Sequence, residues 1–355
     1  MLSLRQLLKA VIDQGATDLH ISAGAAPALR INGRLVKIKY RELEPNETKE
    51  ICYSILSDHQ KHKFEELKEL DFAFGLKNSS RFRANYFYSN KAVAAAFRRI
   101  PFQVPTTEEL KLPRVISDLV KHSNGLILVT GPTGSGKSTT LASLIDRINA
   151  TYHGHILTIE DPVEYRHQHK NCIVNQRELG VDTLSYAAAL RGALREDPDY
   201  CLIGELRDAE VLEEALKLAE TGHLCFATLH TNSALQTVSR VVSMYPVSQQ
   251  DRVRGVLSLV LQGVVSQQLL PGKDGGLCLA LEVLTLTPAI RHLIRENKLH
   301  QIYSHMQTGQ SKTGMITMNQ SLLELVMRRK IEIKTAFEAT QDIEELNQML
   351  KKVGL

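Results

Sequence analysis

The apolar segment Leu126-Ile-Leu-Val-Thr130 runs directly into Gly131-Pro-Thr-Gly-Ser-Gly-Lys-Ser-Thr139. A helical pattern follows to about residue 149. Strand, glycine-rich loop and helix in this order predict a loop that binds phosphate. Glycines let backbone N–H groups turn inward around phosphate oxygens, and the helix N-terminus adds partial positive charge.

Two side chains of this loop are expected to carry the chemistry. Lys137 would reach the β and γ phosphates of a bound nucleotide, and Ser138 would hold Mg²⁺. The predicted nucleotide ligands are the nine loop residues Gly131, Pro132, Thr133, Gly134, Ser135, Gly136, Lys137, Ser138 and Thr139.

Apolar strands and longer helices alternate on both sides of the loop, which predicts an α/β domain with a parallel sheet. The predicted strands are 126–130, 155–160, 200–204, 224–229 and 277–284. The longest helical candidate is 253–270, and from Pro288 onward the apolar spacing is helical throughout. The chain is therefore expected to end in helices.

The first hundred residues alternate short strands and short helices, which predicts a small α+β domain. Pro101, Pro105 and Pro113 interrupt the polar stretch that follows. We predict a first domain at 1–99, a linker at 100–114 and a second domain at 115–355, whose last part, 288–355, is a helical subdomain.

Composition and charge restrict the function. With 355 residues, 43% of them hydrophobic, the chain can form two cored domains, and its net charge of +4 is too small for a nucleic-acid partner. No apolar run is long enough for membrane insertion, and the N-terminus reads as an amphipathic helix rather than a signal peptide, so we expect a cytoplasmic protein. The five cysteines form no CxxC pair, which indicates buried thiols and no zinc.

Polar residues follow three other predicted strands of the second domain. Glu160, Asp161 and Glu164 follow the first, Glu205 the second and His230 the third. The carboxyl ends of parallel strands share one edge of the sheet, where the phosphate loop is also expected. We expect Glu205, together with either Glu160 or Glu164, to prepare the attacking water, and the sequence leaves open which glutamate is the base.

The second acidic segment departs from the usual pattern, because Gly204 stands where an aspartate commonly ends the strand. Glu205 must then take the acidic role, and we assign it to Mg²⁺ through water. His223 and His230 are seven residues apart, so on one continuous strand they would face opposite ways. Both histidines can take part in the site only if His223 lies in the turn before the strand, and Thr221-Gly222 favours such a turn.

In the first domain, the strand 81–88 alternates two kinds of side chain. Phe82 and Tyr86 are predicted on one face and Arg81 and Arg83 on the other, because strand side chains alternate with period two. The two arginines are therefore expected to project from the same face of this strand.

The motifs together resemble a known family. GPTGSGKSTT, ILTIEDPVEY, LREDPDYCLIGELRD and TGHLCFATLHTNSA resemble, in order and spacing, the Walker A, Asp box, Walker B and His box of secretion-superfamily ATPases. The segments DLHIS, SRFRAN and Ala289-Ile-Arg-His-Leu-Ile-Arg-Glu296 narrow the resemblance to the type IV pilus retraction ATPases, the PilT family.

This resemblance implies a PAS-like N-terminal domain, a RecA-like ATPase domain and a homohexameric ring with nucleotide sites between the two domains. Arg81, Arg83 and Arg98 match the family's arginines that close on the γ-phosphate. The implied partners are the inner-membrane pilus platform protein and, indirectly, pilin, so the protein would associate peripherally with the inner membrane. The missing CxxC pairs favour retraction over the zinc-bearing extension ATPases.

The last motif is expected to couple ATP hydrolysis to work. It comprises Ala289, Ile290, Arg291, His292, Leu293, Ile294, Arg295 and Glu296, with His292 where the family carries asparagine. Three apolar residues form one stripe, and the two arginines lie four apart on another face, which an ordinary core helix with a solvated face would also show.

The sequence also allows other functions. The chain could be an accessory retraction ATPase or a related secretion ATPase, or a nucleotide-gated binding subunit with little turnover. A hexameric DNA translocase is disfavoured by the small net charge.

Overall fold

A computed structural model describes residues 2–31, 33–76 and 80–355, with the backbone alone at 310–312. The chain forms two compact units. The first contains the described part of Met1–Gln103 together with Pro162–Arg166, and the second contains Val104–Asp161 and His167–Leu355. The domain limits expected from the sequence stay a prediction.

The first unit is an α+β fold with one six-stranded antiparallel sheet in the order β3-β2-β1-β6-β5-β4. Its elements are α1 (Leu4–Asp13), β1 (Asp18–Ile21), β2 (Ala28–Ile31), β3 (Arg34–Lys37), α2 (Pro45–Tyr53), α3 (Asp58–Leu67), β4 (Glu69–Leu76), β5 (Ser80–Ser89) and β6 (Ala92–Ile100).

The alternation predicted for β5 is confirmed. Phe82 and Tyr86 are fully buried in an aromatic core, whereas Arg81 and Arg83 are partly exposed. Because successive strand residues point to opposite faces, the sequence alone separates the core face from the arginine face.

The second unit contains a seven-stranded sheet in the order β13-β12-β7-β11-β10-β8-β9, in which only the β12–β13 pair is antiparallel. Its elements up to the sheet's last strand are α4 (Arg114–Asp118), β7 (Gly125–Thr130), α5 (Lys137–Thr151), β8 (His155–Glu160), β9 (Ile173–Glu178), α6 (Tyr186–Ala193), β10 (Tyr200–Ile203), α7 (Ala209–Glu220), β11 (Leu224–Leu229), α8 (Ala234–Ser243), α9 (Val247–Val260), β12 (Leu261–Pro271) and β13 (Leu277–Thr285).

The central strands are parallel and buried on both faces. Every residue of β7 and of β11 is buried, as expected for strands covered by helices on each side. The register aligns Leu229 of β11 and Ser266 of β12 with Thr130 of β7. The carboxyl ends of these strands therefore form one edge of the sheet.

The expected helix over 253–270 is wrong in its second half. Helix α9 ends at Val260 and the chain continues directly as β12, between β7 and β13. A strand buried on both faces is apolar at nearly every position, so its sequence does not distinguish it from a buried helix.

The chain ends in helices, as predicted. These are α10 (Pro288–Arg295), α11 (Ile302–Thr313), α12 (Met318–Met327), α13 (Ile333–Ala339) and α14 (Ile343–Lys352). The carboxylate of Glu282 on β13, 3% exposed, accepts hydrogen bonds from the backbone N–H groups of Ala234 (2.6 Å) and Met318 (3.3 Å). It thereby joins the N-termini of α8 and α12.

Candidate functional site

The glycine-rich loop connects β7 to α5 at the carboxyl edge of the sheet. Gly131, Gly134 and Gly136 have φ values of 139°, 81° and 88°, in the left-handed region that favours glycine. A Cβ on Gly131 would lie 2.3 Å from the backbone oxygen of Gln267 on β12. Helix α5 begins at Lys137, so the N–H groups of its first turn face the loop.

Lys137 folds back over the loop that precedes it. Its Nζ donates hydrogen bonds to the backbone oxygens of Gly131 (2.8 Å) and Pro132 (3.0 Å). The hydroxyl-bearing Ser138 is exposed in the first turn of α5. An ammonium, a hydroxyl and a helix N-terminus thus lie together, which is the arrangement that binds phosphate oxygens.

Glu205 and His230 come together at the same edge, as predicted. Glu205 follows β10 and His230 follows β11, and the Oε1 of Glu205 lies 3.2 Å from the Nε2 of His230. The Oε2 of Glu205 accepts a hydrogen bond from the Nε of Arg207 at 3.0 Å. The carboxylate is therefore held on both of its oxygens.

Arg207 is a site residue that the sequence reasoning missed. Its Nη2 lies 3.1 Å from the Oδ2 of Asp161, and its guanidinium lies 5.7 Å from the centre of the Tyr186 ring. Burial lowers the pKa of Arg207, but Glu205 and Asp161 outweigh this effect and leave its pKa above the ordinary value. A permanent cation therefore bridges the ends of β8 and β10.

Glu160 is the last residue of β8. Its Oε1 accepts hydrogen bonds from the Oγ1 of Thr158 (2.8 Å) and the Nε2 of Gln176 (3.3 Å). Two neutral donors therefore bind this oxygen of Glu160, and an arginine and a histidine bind the oxygens of Glu205.

Steric crowding explains why the residue after β10 is a glycine. A Cβ on Gly204 would lie 2.8 Å from the Tyr186 hydroxyl and 3.3 Å from the Cα of Glu160. An aspartate does not fit at this position without movement of its neighbours, so the acidic group stands one residue later, at Glu205.

The structure does not bring His223 to this edge, so of the two histidines only His230 follows its strand at the end that carries the loop. His223 lies in the turn that precedes β11, as predicted, and this turn is at the amino end of the strand. The backbone oxygen of His223 accepts a hydrogen bond from the N–H of Gly125 at the start of β7. Its Nδ1 lies 2.9 Å from the backbone oxygen of Leu218. The six residues of β11 separate it from the loop edge by roughly 20 Å.

Glu164 and the arginines lie within the first unit. Nη1 of Arg83 is 3.7 Å from Oε1 of Glu164, and Nη2 of Arg81 donates to the backbone oxygen of Val163 at 3.2 Å. The segment between Glu160 and His167 thus supplies partners for the arginine strand.

Arg98 lies opposite Arg83 in the β5–β6 register, so the two guanidinium groups share one face. The Nε of Arg98 donates to Oδ1 of Asp18 at 2.9 Å, and Arg30 approaches the other oxygen of that carboxylate at 3.8 Å. Asp18 belongs to the DLHIS segment, so a polar residue inside that motif was the signal available in the sequence.

The helix of the last motif, α10, begins as predicted. Thr287 caps it by accepting a hydrogen bond from the N–H of Ile290, and Pro288 is its first residue. The predicted apolar stripe of Ile290, Leu293 and Ile294 is buried.

The two arginines of this motif differ in role, contrary to the expectation of one charged face. Arg291 donates to the backbone oxygens of Ser258 (2.8 Å) and Leu259 (2.7 Å) and to Oε1 of Gln262 (2.8 Å). It thus binds the carbonyl end of α9, where a cation is favoured. Arg295 is exposed, and its Nη2 lies 3.4 Å from the Nδ1 of His292.

A largely parallel sheet with a glycine loop and acidic residues at its carboxyl edge is typical of nucleotide-binding α/β domains, a class that includes the RecA-like ATPases. Residues 2–353 match the family model described as Type II/IV secretion system protein. The chain belongs to this family. Its fold class, an α/β ATPase domain with a helical end after a small α+β domain, is the one predicted.

Individual relatives agree with the PilT resemblance. The chain is 48% identical to the type IV pilus retraction ATPase PilT of Pseudomonas aeruginosa, over 95% of this chain and 98% of that protein. It is 39% identical to the type IV pilus ATPase PilU of the same organism, over 99% and 92% of the two chains. A crystal structure of the pilus retraction motor PilT with bound ADP matches it with a TM-score of 0.90 and 50% identity, over 98% and 100% of the chains.

Among the described residues, no helix is both long and apolar enough to cross a membrane.

Proposed function

We propose that this chain is a Mg²⁺-dependent ATPase motor that drives retraction of type IV pili. The observation that carries the proposal is the Lys137 loop and the Glu205–His230 pair on one sheet edge, in a chain closely similar to PilT. Lys137, Ser138 and the loop N–H groups bind the phosphates of ATP. Positioning and charge stabilisation, rather than proton removal, supply most of the catalysis in phosphoryl transfer.

The residues fit a Mg²⁺ ion that is shared with the nucleotide. Mg²⁺ is commonly held by one or two protein oxygens together with phosphates and waters. The exposed hydroxyl of Ser138 and the carboxylate of Glu205, through water, are such oxygens. Bound there, the ion would neutralise charge on the β and γ phosphates.

Glu205 orients the attacking water, and its own orientation is set by Arg207 and His230. Glu160 is the other candidate of the second unit for this task. We also propose a homohexamer in which Arg81, Arg83 and Arg98 close on the γ-phosphate, because guanidinium groups bind phosphate oxygens in a bidentate manner. Motion of the ring would act on the inner-membrane pilus platform and so release pilin.

Replacement of Lys137 by alanine tests the ATPase assignment. We expect steady-state phosphate release to fall to background while circular dichroism and thermal unfolding stay close to wild type, because Lys137 is partly exposed and its hydrogen bonds to Gly131 and Pro132 lie within a surface loop. Lys351→Ala, in the exposed end of α14, is the matched control. Phosphate release near the wild-type rate in Lys137→Ala would refute the assignment, and a wild-type chain without turnover would favour a nucleotide-gated binding subunit.

The similarity to PilU supports a second candidate, an accessory retraction ATPase. Deletion of this gene alone distinguishes the two. A main motor predicts cells that keep surface pili and lose twitching motility. An accessory motor predicts that retraction continues at reduced force.

A further inference from the structure

We propose that Gln267 is a positioning residue for the phosphate loop, an inference that rests on the proposed function. Gln267 lies on β12, two residues beyond the Val265–Val129 pairing with β7, and is 1% exposed. Its Nε2 donates a hydrogen bond to the backbone oxygen of Ser135 at 2.7 Å. The side chain therefore reaches from a buried strand to the middle of the loop.

The direction of this hydrogen bond matters for phosphate binding. A loop that turns its N–H groups toward a phosphate must turn carbonyl oxygens outward, and a buried carbonyl without a donor is costly. The amide of Gln267 supplies the donor for Ser135 from the outer side. It thereby keeps this carbonyl away from the phosphate oxygens, which would repel it.

Gln267 also limits the position of the loop by close packing. Its backbone oxygen lies where a Cβ of Gly131 would be, and its Nε2 lies 3.2 Å from the corresponding position at Gly136. The first and the last glycine of the loop therefore both pack against this one residue.

The amide oxygen of Gln267 indicates that this residue does more than fill space in the core. The Oε1 of Gln267 is buried and has no hydrogen-bond partner among the described residues. A buried acceptor without a donor destabilises the fold, and an apolar side chain of similar shape would avoid this penalty. The hydrogen bond from Gln267 to Ser135 compensates for this penalty.

The next residue provides a matched control. Gln268 points to the opposite face of β12, and its Nε2 lies 3.3 Å from the backbone oxygen of Ala339 at the end of α13. The two neighbouring glutamines therefore make the same type of bond, one to the loop and one to the C-terminal helices.

The test compares Gln267→Glu, Gln267→Met and Gln268→Glu in the purified full chain. Affinity for a fluorescent ADP analogue is measured by titration, KM and kcat for ATP by phosphate release, and folding by thermal unfolding. We expect both Gln267 variants to weaken ADP binding roughly tenfold or more, with a matching rise in KM and a smaller change in kcat. Gln268→Glu should bind ADP within twofold of wild type.

The outcomes separate this inference from the proposed function. ADP affinity within twofold of wild type in a folded Gln267 variant, or an equal loss in Gln268→Glu, would overturn the role of Gln267 while the ATPase assignment stands. If Gln267→Glu does not fold, Gln267→Met alone decides. Failure of the wild-type chain to bind ADP would overturn the proposed function and this inference with it.

Discussion

Replacement of Arg291 by alanine should destabilise the second unit, although the sequence suggested an exposed side chain available for a partner. The substitution removes two hydrogen bonds to the last carbonyls of α9 and one to Gln262. Gln262 in turn donates to the backbone oxygen of Asn124 at 3.1 Å, just before β7. Arg291 thus connects α10, α9 and the segment that leads to β7.

The expected magnitude follows from these bonds. A hydrogen bond to a charged group contributes about 1.5–3 kcal/mol, and a cation at a helix C-terminus about 0.3–1 kcal/mol. Arg291 is partly exposed, so water replaces some of what is lost, and we expect a total of about 2–3 kcal/mol. For a domain of this size, that free energy lowers the melting temperature by roughly 4–12 °C.

Thermal unfolding of the purified chain measures this effect, with Arg295→Ala as the matched control. Arg295 is exposed and should cost less than about 0.5 kcal/mol. A double-mutant cycle of Arg291→Ala with Gln262→Ala should show a coupling of about 0.5–1.5 kcal/mol. Equal melting temperatures for Arg291→Ala and Arg295→Ala would refute the role of Arg291 at the end of α9.

Three other predictions concern coupling, assembly and pH. Arg295→Ala should keep its hexamers and most of its ATPase activity while cells lose pilus retraction, and ATPase activity as low as in the loop-lysine variant would place this residue in the chemistry instead. Arg83→Ala and Glu205→Ala subunits should each be inactive alone and regain phosphate release when mixed, if the arginine acts across a subunit boundary; verified subunit exchange without recovery would argue against action in trans. Burial raises the pKa of the Glu282 carboxyl above its ordinary value of 4.5. The contribution of this group to the free energy of unfolding is therefore most favourable below pH 4.5, and it is lost as pH rises through the pKa of the folded state. The amount by which the wild-type melting temperature exceeds that of Glu282→Gln should therefore decrease as pH rises above 4.5. A constant or increasing difference would contradict this prediction.

The features that could be predicted from the sequence are those that neighbouring residues specify. The glycine loop requires left-handed φ values that glycine adopts readily, and the strand before it is apolar throughout, so its place between β7 and α5 was predictable. The same holds for the two faces of β5, which follow from period two, and for the start of α10 at Thr287 and Pro288.

Other features depend on contacts between residues that are distant in the chain, and these could not be predicted from local patterns. Helix α9 gives way to β12 because β7 and β13 supply hydrogen-bonding partners on both sides, which no local pattern records. Arg291 serves the end of α9 rather than solvent, Arg207 bridges two strand ends, and His223 lies at the far edge of the sheet, all through contacts made on folding. Side-chain spacing fixes which residues share a face of one element, but the partner that each face meets is set by how the elements pack.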